Sequence, residues 1–178
     1  MNTLSPYSVF LVDDDKMFLT SLKNNLRNKF GNMLKISEFT KGEECIENLE
    51  SHGDSTPPPD IVILDYYLAD DTDPEIQSGV KVLRKVKSRS NDTTVIMLSG
   101  EDKMQVAVDC IKNGAYEYVV KSESAFVRIE QVLKNALEGI TSSRKSTSYF
   151  RANITLALII LAIILIDVIW YYSYHYTF

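Results

Sequence analysis

A chain of 178 residues has room for one ordinary domain and an appendage. Its formal net charge of -5 is unevenly spread: residues 1–140 carry 23 acidic and 16 basic side chains, while 141–153 carry Arg144, Lys145 and Arg151 and no acid. So acidic a domain, with no reader motif, speaks against nucleic acid as a partner, because that affinity comes mainly from neutralising phosphates.

Along the chain, "SVFLVDD" (8–14) is a short apolar run ending in acid and reads as a buried strand. "MFLTSLKNNLRNKF" sets Phe18, Leu22 and Leu26 on one helix face, with Gly31 as the stop. "MLKISEF" (33–39) alternates like a strand, and "KGEECIENLESHG" is a short helix closed by Gly53. "DSTPPPD" is a stiff, extended connection. "DIVILD" (60–65) is a fully apolar strand delivering Asp65 at its tip. "GVKVLRKVKSRS" is a helix with Val80, Leu83 and Val86 on one side, and "TTVIMLS" (93–99) is another apolar strand. "EDKMQVAVDCIKNG" is a helix with a glycine C-cap, and "AYEYVVK" (115–121) a strand. "ESAFVRIEQVLKNALEGI" closes the series with a helical stripe of Phe126, Ile129, Leu133, Ala136, Leu137 and Ile140.

These are five β-then-α units. Apolar strands separated by amphipathic helices predict an α/β doubly wound parallel sheet covered on both faces, joined by right-handed crossovers. In such sheets functional groups collect beyond the carboxyl ends of the strands. Those ends deliver Asp13 and Asp14, then Asp65, then Ser99 with Gly100, then Lys121. Clustered carboxylates repel, by about 4 kcal/mol for two charges about 4 Å apart at an effective dielectric near 20. A hard divalent cation such as Mg²⁺ resolves that conflict with oxygen ligands alone. Lys121 adds a point positive charge for an anion, Ser99 a hydroxyl donor, and Gly100 a reachable backbone N–H. Carboxylate nucleophile, metal, lysine and hydroxyl together make a phosphoryl-transfer constellation. Taken singly, each has a plainer reading: Asp13 and Asp14 as helix caps, Lys121 as a solvated charge, Tyr118 as a packed strand aromatic. Asp15 reads as the N-cap of the first helix. Cys45 and Cys110 read as reduced core thiols, and neither His52 nor His175 shares a motif with a nucleophile.

"FLVDDD", "IVILD", "VIMLSG" and "YEYVVKS", in this order and spacing, resemble the receiver domain of two-component response regulators over about residues 7–140. The resemblance implies a flavodoxin-like five-stranded sheet in the order 2-1-3-4-5. It implies that Asp65 is the phosphoacceptor. Mg²⁺ would be held by Asp14, Asp65 and the backbone carbonyl of Tyr67, with Asp13 acting through water. Lys121 and Ser99 would meet the phosphoryl oxygens, and Tyr118 matches the aromatic that moves with Ser99. The implied partners are a histidine kinase or phosphotransfer protein and a downstream protein; the exposed face of the last helix is a candidate homodimer surface. No substrate turnover is expected beyond self-phosphorylation and autodephosphorylation.

Two features depart from that family's pattern. Ser122 follows Lys121 where the family usually has a proline in a cis bond, so either the bond here is trans with a redrawn loop, or strain is held there. The loop after Asp65 is long and acidic: Asp65 and Gly79 are fourteen apart, with Asp70, Asp71, Asp73 and Glu75 between. It is either a solvated insertion or a gate over Asp65. Tyr67, two residues beyond Asp65, is placed to limit water access.

The C-terminal segment "ITLALIILAIILIDVIWYY" (154–172) is apolar all round and would rise about 28 Å as a helix, close to a bilayer's hydrocarbon thickness. Basic residues precede it and Trp170, Tyr171, Tyr172, Tyr174 and Tyr176 follow, as an interfacial belt would. The expected organisation is a receiver domain over 7–140, a basic linker over 141–152 and a transmembrane helix over 153–174. It would be a single-pass inner-membrane protein with its receiver on the cytoplasmic side. A buried core helix or a hydrophobic dimerisation tail is the plainer alternative. Asp167, late in the segment, falls near the far interface. The functional expectation is a membrane-anchored phosphoreceiver signalling by protein contacts. A phosphorylation-independent interaction module is the rival, and a Mg²⁺-dependent phosphohydrolase lacks a second carboxylate two residues after Asp65.

Overall fold

The computed structural model describes residues 6–51, 57–68 and 78–176, without the side chains of 78, 145–153 and 168–176. Five parallel strands form the sheet: β1 (Tyr7–Val12), β2 (Leu34–Phe39), β3 (Ile61–Asp65), β4 (Thr94–Ser99) and β5 (Glu117–Val120). Their order is β2-β1-β3-β4-β5. The helices are α1 (Lys16–Phe30), α2 (Gly42–Ser51), α3 (Ser78–Arg89), α4 (Met104–Lys112) and α5 (Ala125–Tyr176).

The central strands are β-branched because both of their faces are covered. Successive side chains point to opposite faces. Phe10, Val12, Val62, Leu64, Val95 and Met97 join one buried cluster with Cys45, Leu49, Leu83, Val86 and Cys110 from α2, α3 and α4. Their neighbours Val9, Leu11, Ile63, Ile96 and Leu98 are equally buried on the other side. There α1 supplies Leu19, Leu22 and Leu26, and α5 supplies Ile129, Val132, Leu133 and Ala136. Both cysteines are buried, and burial pushes the Cys45 thiol up to about 12 and that of Cys110 to about 11, so each behaves as a core residue.

Local chemistry sets the helix ends nearest the strand tips. Asp15 caps α1, its Oδ1 accepting from the N–H groups of Met17 (2.8 Å) and Phe18 (3.0 Å). Gly31, at φ 55°, ends that helix and returns its N–H to the Arg27 carbonyl. Gly79, in the first turn of α3, lies against the end of β3. A Cβ there would stand 2.2 Å from the Asp65 carbonyl oxygen and 2.8 Å from that of Tyr66, so only glycine lets α3 come so close.

Three expectations change. The segment from Glu101 is not helical until Met104, because Lys103, the residue before the helix, is extended. The end of α4 is capped by Asn113, with Gly114 at φ 95° just beyond. The basic stretch 141–152 is no break, since α5 runs through it. The chain divides into two compact units, Met1–Ala136 and Leu137–Phe178. Gly53 and the acidic residues Asp70, Asp71, Asp73 and Glu75 lie outside the described residues.

In the second unit every described side chain from 154 to 167 is exposed. Among the described residues no helix is long and apolar enough to cross a membrane. The later part of the expected transmembrane helix, 168–174, lies outside the described side chains.

Candidate functional site

The strand tips are tied together by backbone bonds that extend past the strands. The Asp13 N–H donates to the Phe39 carbonyl (3.1 Å), the Tyr66 N–H to that of Leu98 (2.8 Å), and the Lys121 N–H to that of Ser99 (2.7 Å). This fixes Asp13, Asp65, Ser99 and Lys121 at one edge of the sheet. Asp13, Asp65 and Ser99 are 1%, 5% and 0% exposed, whereas Asp14 points to solvent. Oxygens of Asp13, Asp14 and Asp65 all lie within 4.8 Å of one another.

Lys121 is the counter-charge. Its ammonium stands 2.6 Å from Asp13 Oδ2 and 3.0 Å from Asp65 Oδ2. Burial pushes the Asp65 carboxyl up to about 6, the Asp13 charge adds to this, and Lys121 opposes it. Asp13 is likewise raised, first by burial, against the pull of Lys121. Burial alone would lower Lys121, but the two carboxylates outweigh it and hold the ammonium above its ordinary value. One lysine does not balance three carboxylates. Asp13 Oδ1 accepts the Asp15 N–H at 3.0 Å, while its buried Oδ2 has no aligned donor and faces the Lys121 ammonium at 2.6 Å. A buried oxygen without an aligned donor, within an all-oxygen group of excess negative charge, fits a hard divalent cation. Asp13, Asp14 and Asp65 are the side chains able to hold one.

On the opposite rim Glu101 connects several elements. Its N–H donates to Ser99 Oγ at 3.1 Å. Its carbonyl accepts the Tyr118 hydroxyl, so Tyr118 is turned in toward the core cluster rather than out to solvent. Its carboxylate Oε2 accepts the Tyr67 hydroxyl at 3.0 Å and pairs with Lys103 at 2.8 Å. The Glu101 hydrogen bond pushes the Tyr67 phenol up, and Lys103 and Tyr67 together hold the Glu101 carboxyl below its usual range. The Tyr67 ring, 44% exposed, stands edge-on to Tyr66 at 4.7 Å and so bridges the loops after β3 and β4. Gly100 is exposed, and a Cβ there would meet nothing within 4 Å, which leaves its backbone open.

The structure therefore brings together Asp13, Asp14, Asp65, Ser99 and Lys121, with Gly100, Tyr67 and Tyr118 around them. The Lys121–Ser122 bond is trans, since the described residues hold no cis peptide bond. Sequence reasoning did not identify Glu101 or Lys103, which it placed in a helix, and it assigned Phe18 and Phe126 to core stripes. Phe18 in fact lies under the Lys121 ammonium, 4.8 Å from ring centroid to nitrogen.

The model of the response regulator receiver domain matches residues 9–134. The chain belongs to the response regulator receiver domain family. It is 30% identical over 118 residues to the acid tolerance regulatory protein ActR of Rhizobium meliloti (strain 1021), covering 66% of this chain and 54% of that protein. It is 29% identical over 126 residues to the chemotaxis protein CheY of Listeria monocytogenes serovar 1/2a, covering 71% of this chain and 96% of that one. The crystal structure of a CheY-like receiver domain protein from Methanospirillum hungatei JF-1 superposes with a TM-score of 0.62 at 20% identity, covering 78% of this chain and 99% of that one. Thus the chain spans about half the length of the first of these relatives and nearly all of the receiver-only ones.

Proposed function

We propose that this chain is a membrane-anchored phosphoreceiver in which Asp65 accepts a phosphoryl group from a histidine kinase or phosphotransfer protein. The observation that carries the reading is the Lys121 ammonium bridging the buried carboxylates of Asp13 and Asp65, beside the exposed Asp14. A carboxylate oxygen of Asp65 attacks phosphorus, the bond from phosphorus to the donor atom breaks, and the donor leaves with that electron pair. Asp65 becomes an acyl phosphate. Lys121 and Ser99 are placed to meet the new oxygens, and the open Gly100 backbone adds a donor. Asp13, Asp14 and Asp65, with the Tyr67 carbonyl, would hold Mg²⁺, which when bound supplies charge neutralisation for the incoming phosphoryl group. Any signal passes by protein contacts, since Asp65 gains a charge of roughly -1.5 to -2 close to Ser99 and to the Glu101 connections of Tyr67 and Tyr118.

The anchor reading rests on the second unit. Large apolar side chains from Ile154 to Ile166 are 46–64% exposed, with unbroken runs at 158–161 and 163–166, and so on every side of the helix. The sequence extends that run to Tyr172, and Arg144, Lys145 and Arg151 precede it, which supports a receiver on the cytoplasmic side of the cell membrane.

The test is to incubate the full chain with Mg²⁺ and acetyl phosphate or phosphoramidate, with Asp65→Asn as control. Stable labelling of the parent alone supports the reading. Failure of both to label, with the fold intact, would transfer the function to a phosphorylation-independent interaction module. Carbonate extraction of membranes tests the anchor: the full chain stays in the pellet, and its release would refute the anchor.

A further inference from the structure

Lys121 carries a long, flexible side chain, which loses rotamer freedom if held in one place. The backbone after it offers little help. Ser122 is exposed, its N–H turns back to the Val120 carbonyl at 2.9 Å, and its hydroxyl meets that of Ser124 at 3.2 Å. No ring or bulky group from this turn braces the lysine. Yet its side chain is only 20% exposed.

Two carboxylates account for part of this, and Phe18 completes the enclosure. The ammonium lies 4.8 Å from the Phe18 ring centroid, within the roughly 6 Å over which a ring face attracts a cation. Phe18 is itself held from two sides. Its N–H is bound by the Asp15 cap at 3.0 Å, which sets the first turn of α1. Its ring meets that of Phe126, in the first turn of α5, with centroids 5.4 Å apart and planes at 58°. Both rings are only half-buried and sit at the helix starts, whereas the α1 core face is built from Leu19, Leu22 and Leu26. Ordinary core packing does not explain rings at that edge.

We propose that Phe18, braced by Phe126, is a positioning residue that holds Lys121 in place for phosphoryl transfer to Asp65. The ring closes the solvent-facing side of the ammonium, so the lysine stays poised between Asp13 and Asp65 instead of sampling water. A phosphoryl group arriving on Asp65 then meets a cation already in place. Asp15, Phe18 and Phe126 thereby become part of the site, although none touches the reacting atoms. The proposal rests on the reading of Asp65 as phosphoacceptor.

The test uses the full chain in detergent micelles, ¹³C-labelled at lysine Cε, with the Lys121 signal assigned by its loss in Lys121→Gln. Phe18→Leu keeps apolar volume and removes the ring; Phe18→Tyr keeps the ring; Phe126→Leu removes the brace. In the parent, ring current places the Lys121 ε-protons upfield of the other lysines. The expected result is that Phe18→Leu returns them to the common envelope and slows labelling by acetyl phosphate about five-fold, equivalent to about 1 kcal/mol. Phe18→Tyr restores both, and Phe126→Leu shifts both in the same direction by less. Parent-like signals and parent-like rates in Phe18→Leu would overturn the proposal, as would slow labelling that Phe18→Tyr fails to rescue. If the parent itself does not label, the phosphoacceptor reading fails, while an upfield Lys121 signal lost in Phe18→Leu still upholds the ring's hold on the lysine.

Discussion

Asp65→Asn should stabilise the metal-free protein at neutral pH, and the gain should shrink in mild acid. Asp65 is held near 6 rather than 3.8 because it is buried beside Asp13. Between those values the folded state binds a proton that the unfolded state has released, so stability falls as pH rises through the window. Moving the carboxyl from 3.8 to about 6 leaves a cost of about 3 kcal/mol at pH 7, where Asp65 is ionised in both states. Asparagine removes that cost, in which the pull of Lys121 is already contained, and relieves Asp13, but it buries an amide that must find its own hydrogen-bond partners. The net gain is therefore smaller, about 2 kcal/mol, or a rise of roughly 4–8 °C in midpoint for a chain of this size. The gap should narrow as pH falls through about 6 and close only below 3.8, where Asp65 is protonated in both states; at pH 4.5 roughly a third of it remains.

The assay is a thermal melt of the full chain in mild detergent with EDTA, followed by near-ultraviolet circular dichroism, at pH values from 4.5 to 8. Added Mg²⁺ should raise the parent midpoint at pH 7.5 and close the gap, because it binds the folded carboxylates. An advantage of Asp65→Asn that is equal at pH 4.5 and 7.5 would refute the burial argument. So would a variant less stable than the parent at pH 7.5 without metal, since the Lys121 pair would then outweigh the buried charge.

Gly79→Ala should destabilise by about 3 kcal/mol, the upper end of overpacking costs, because its Cβ would meet the Asp65 and Tyr66 backbone rather than a movable side chain; the same melt reads it. Asp15→Ala should cost about 1 kcal/mol through the lost cap and should also slow labelling of Asp65, because the Met17 and Phe18 amides lose their acceptor. Tyr67→Ala should speed loss of the phosphoryl group about two- to five-fold, the worth of one surface hydrogen bond, since it removes the bridge to Glu101 beside Asp65. Decay of the labelled chain after removal of donor measures it, and an unchanged or slower rate would sink the gating idea.

The strands and the convergence of their tips were legible because each rests on a strong, local signal; the strand order came with the family resemblance. "DIVILD" is apolar because β3 is covered on both faces, and an acid closing such a run has nowhere to lie but the strand tip. Asp13 and Lys121 follow by the same logic. Phe18 was read correctly as helical, but its four-residue spacing to Leu22 and Leu26 assigned it to the core stripe. Periodicity cannot say that the first turn of α1 overhangs the site instead of the core. Nor can it report that α3 approaches Asp65 so closely at Gly79, which is a fact of packing between distant segments.

Glu101 shows most clearly where local preference yields to tertiary structure. "EDKMQ" is composed of good helix formers, and propensity alone starts the helix there. In the fold the Glu101 N–H is taken by Ser99 Oγ and its carbonyl by the Tyr118 hydroxyl, so neither group is free to enter a helical ladder, and α4 begins at Met104. The same two bonds make Glu101 the meeting point of the site's rim. Its backbone reads Ser99 and Tyr118; its side chain reads Tyr67 and Lys103. On the proposed function, a phosphoryl group on Asp65 would accept the Ser99 O–H and so turn the Oγ that accepts the Glu101 N–H, which would disturb the Glu101 backbone first. Loosening that backbone reaches Tyr118 on β5 and Tyr67 on the loop after β3 together, through one residue. The residue that propensity would have placed in a helix is held out of it by its bonds to Ser99 and Tyr118 at the rim of the site.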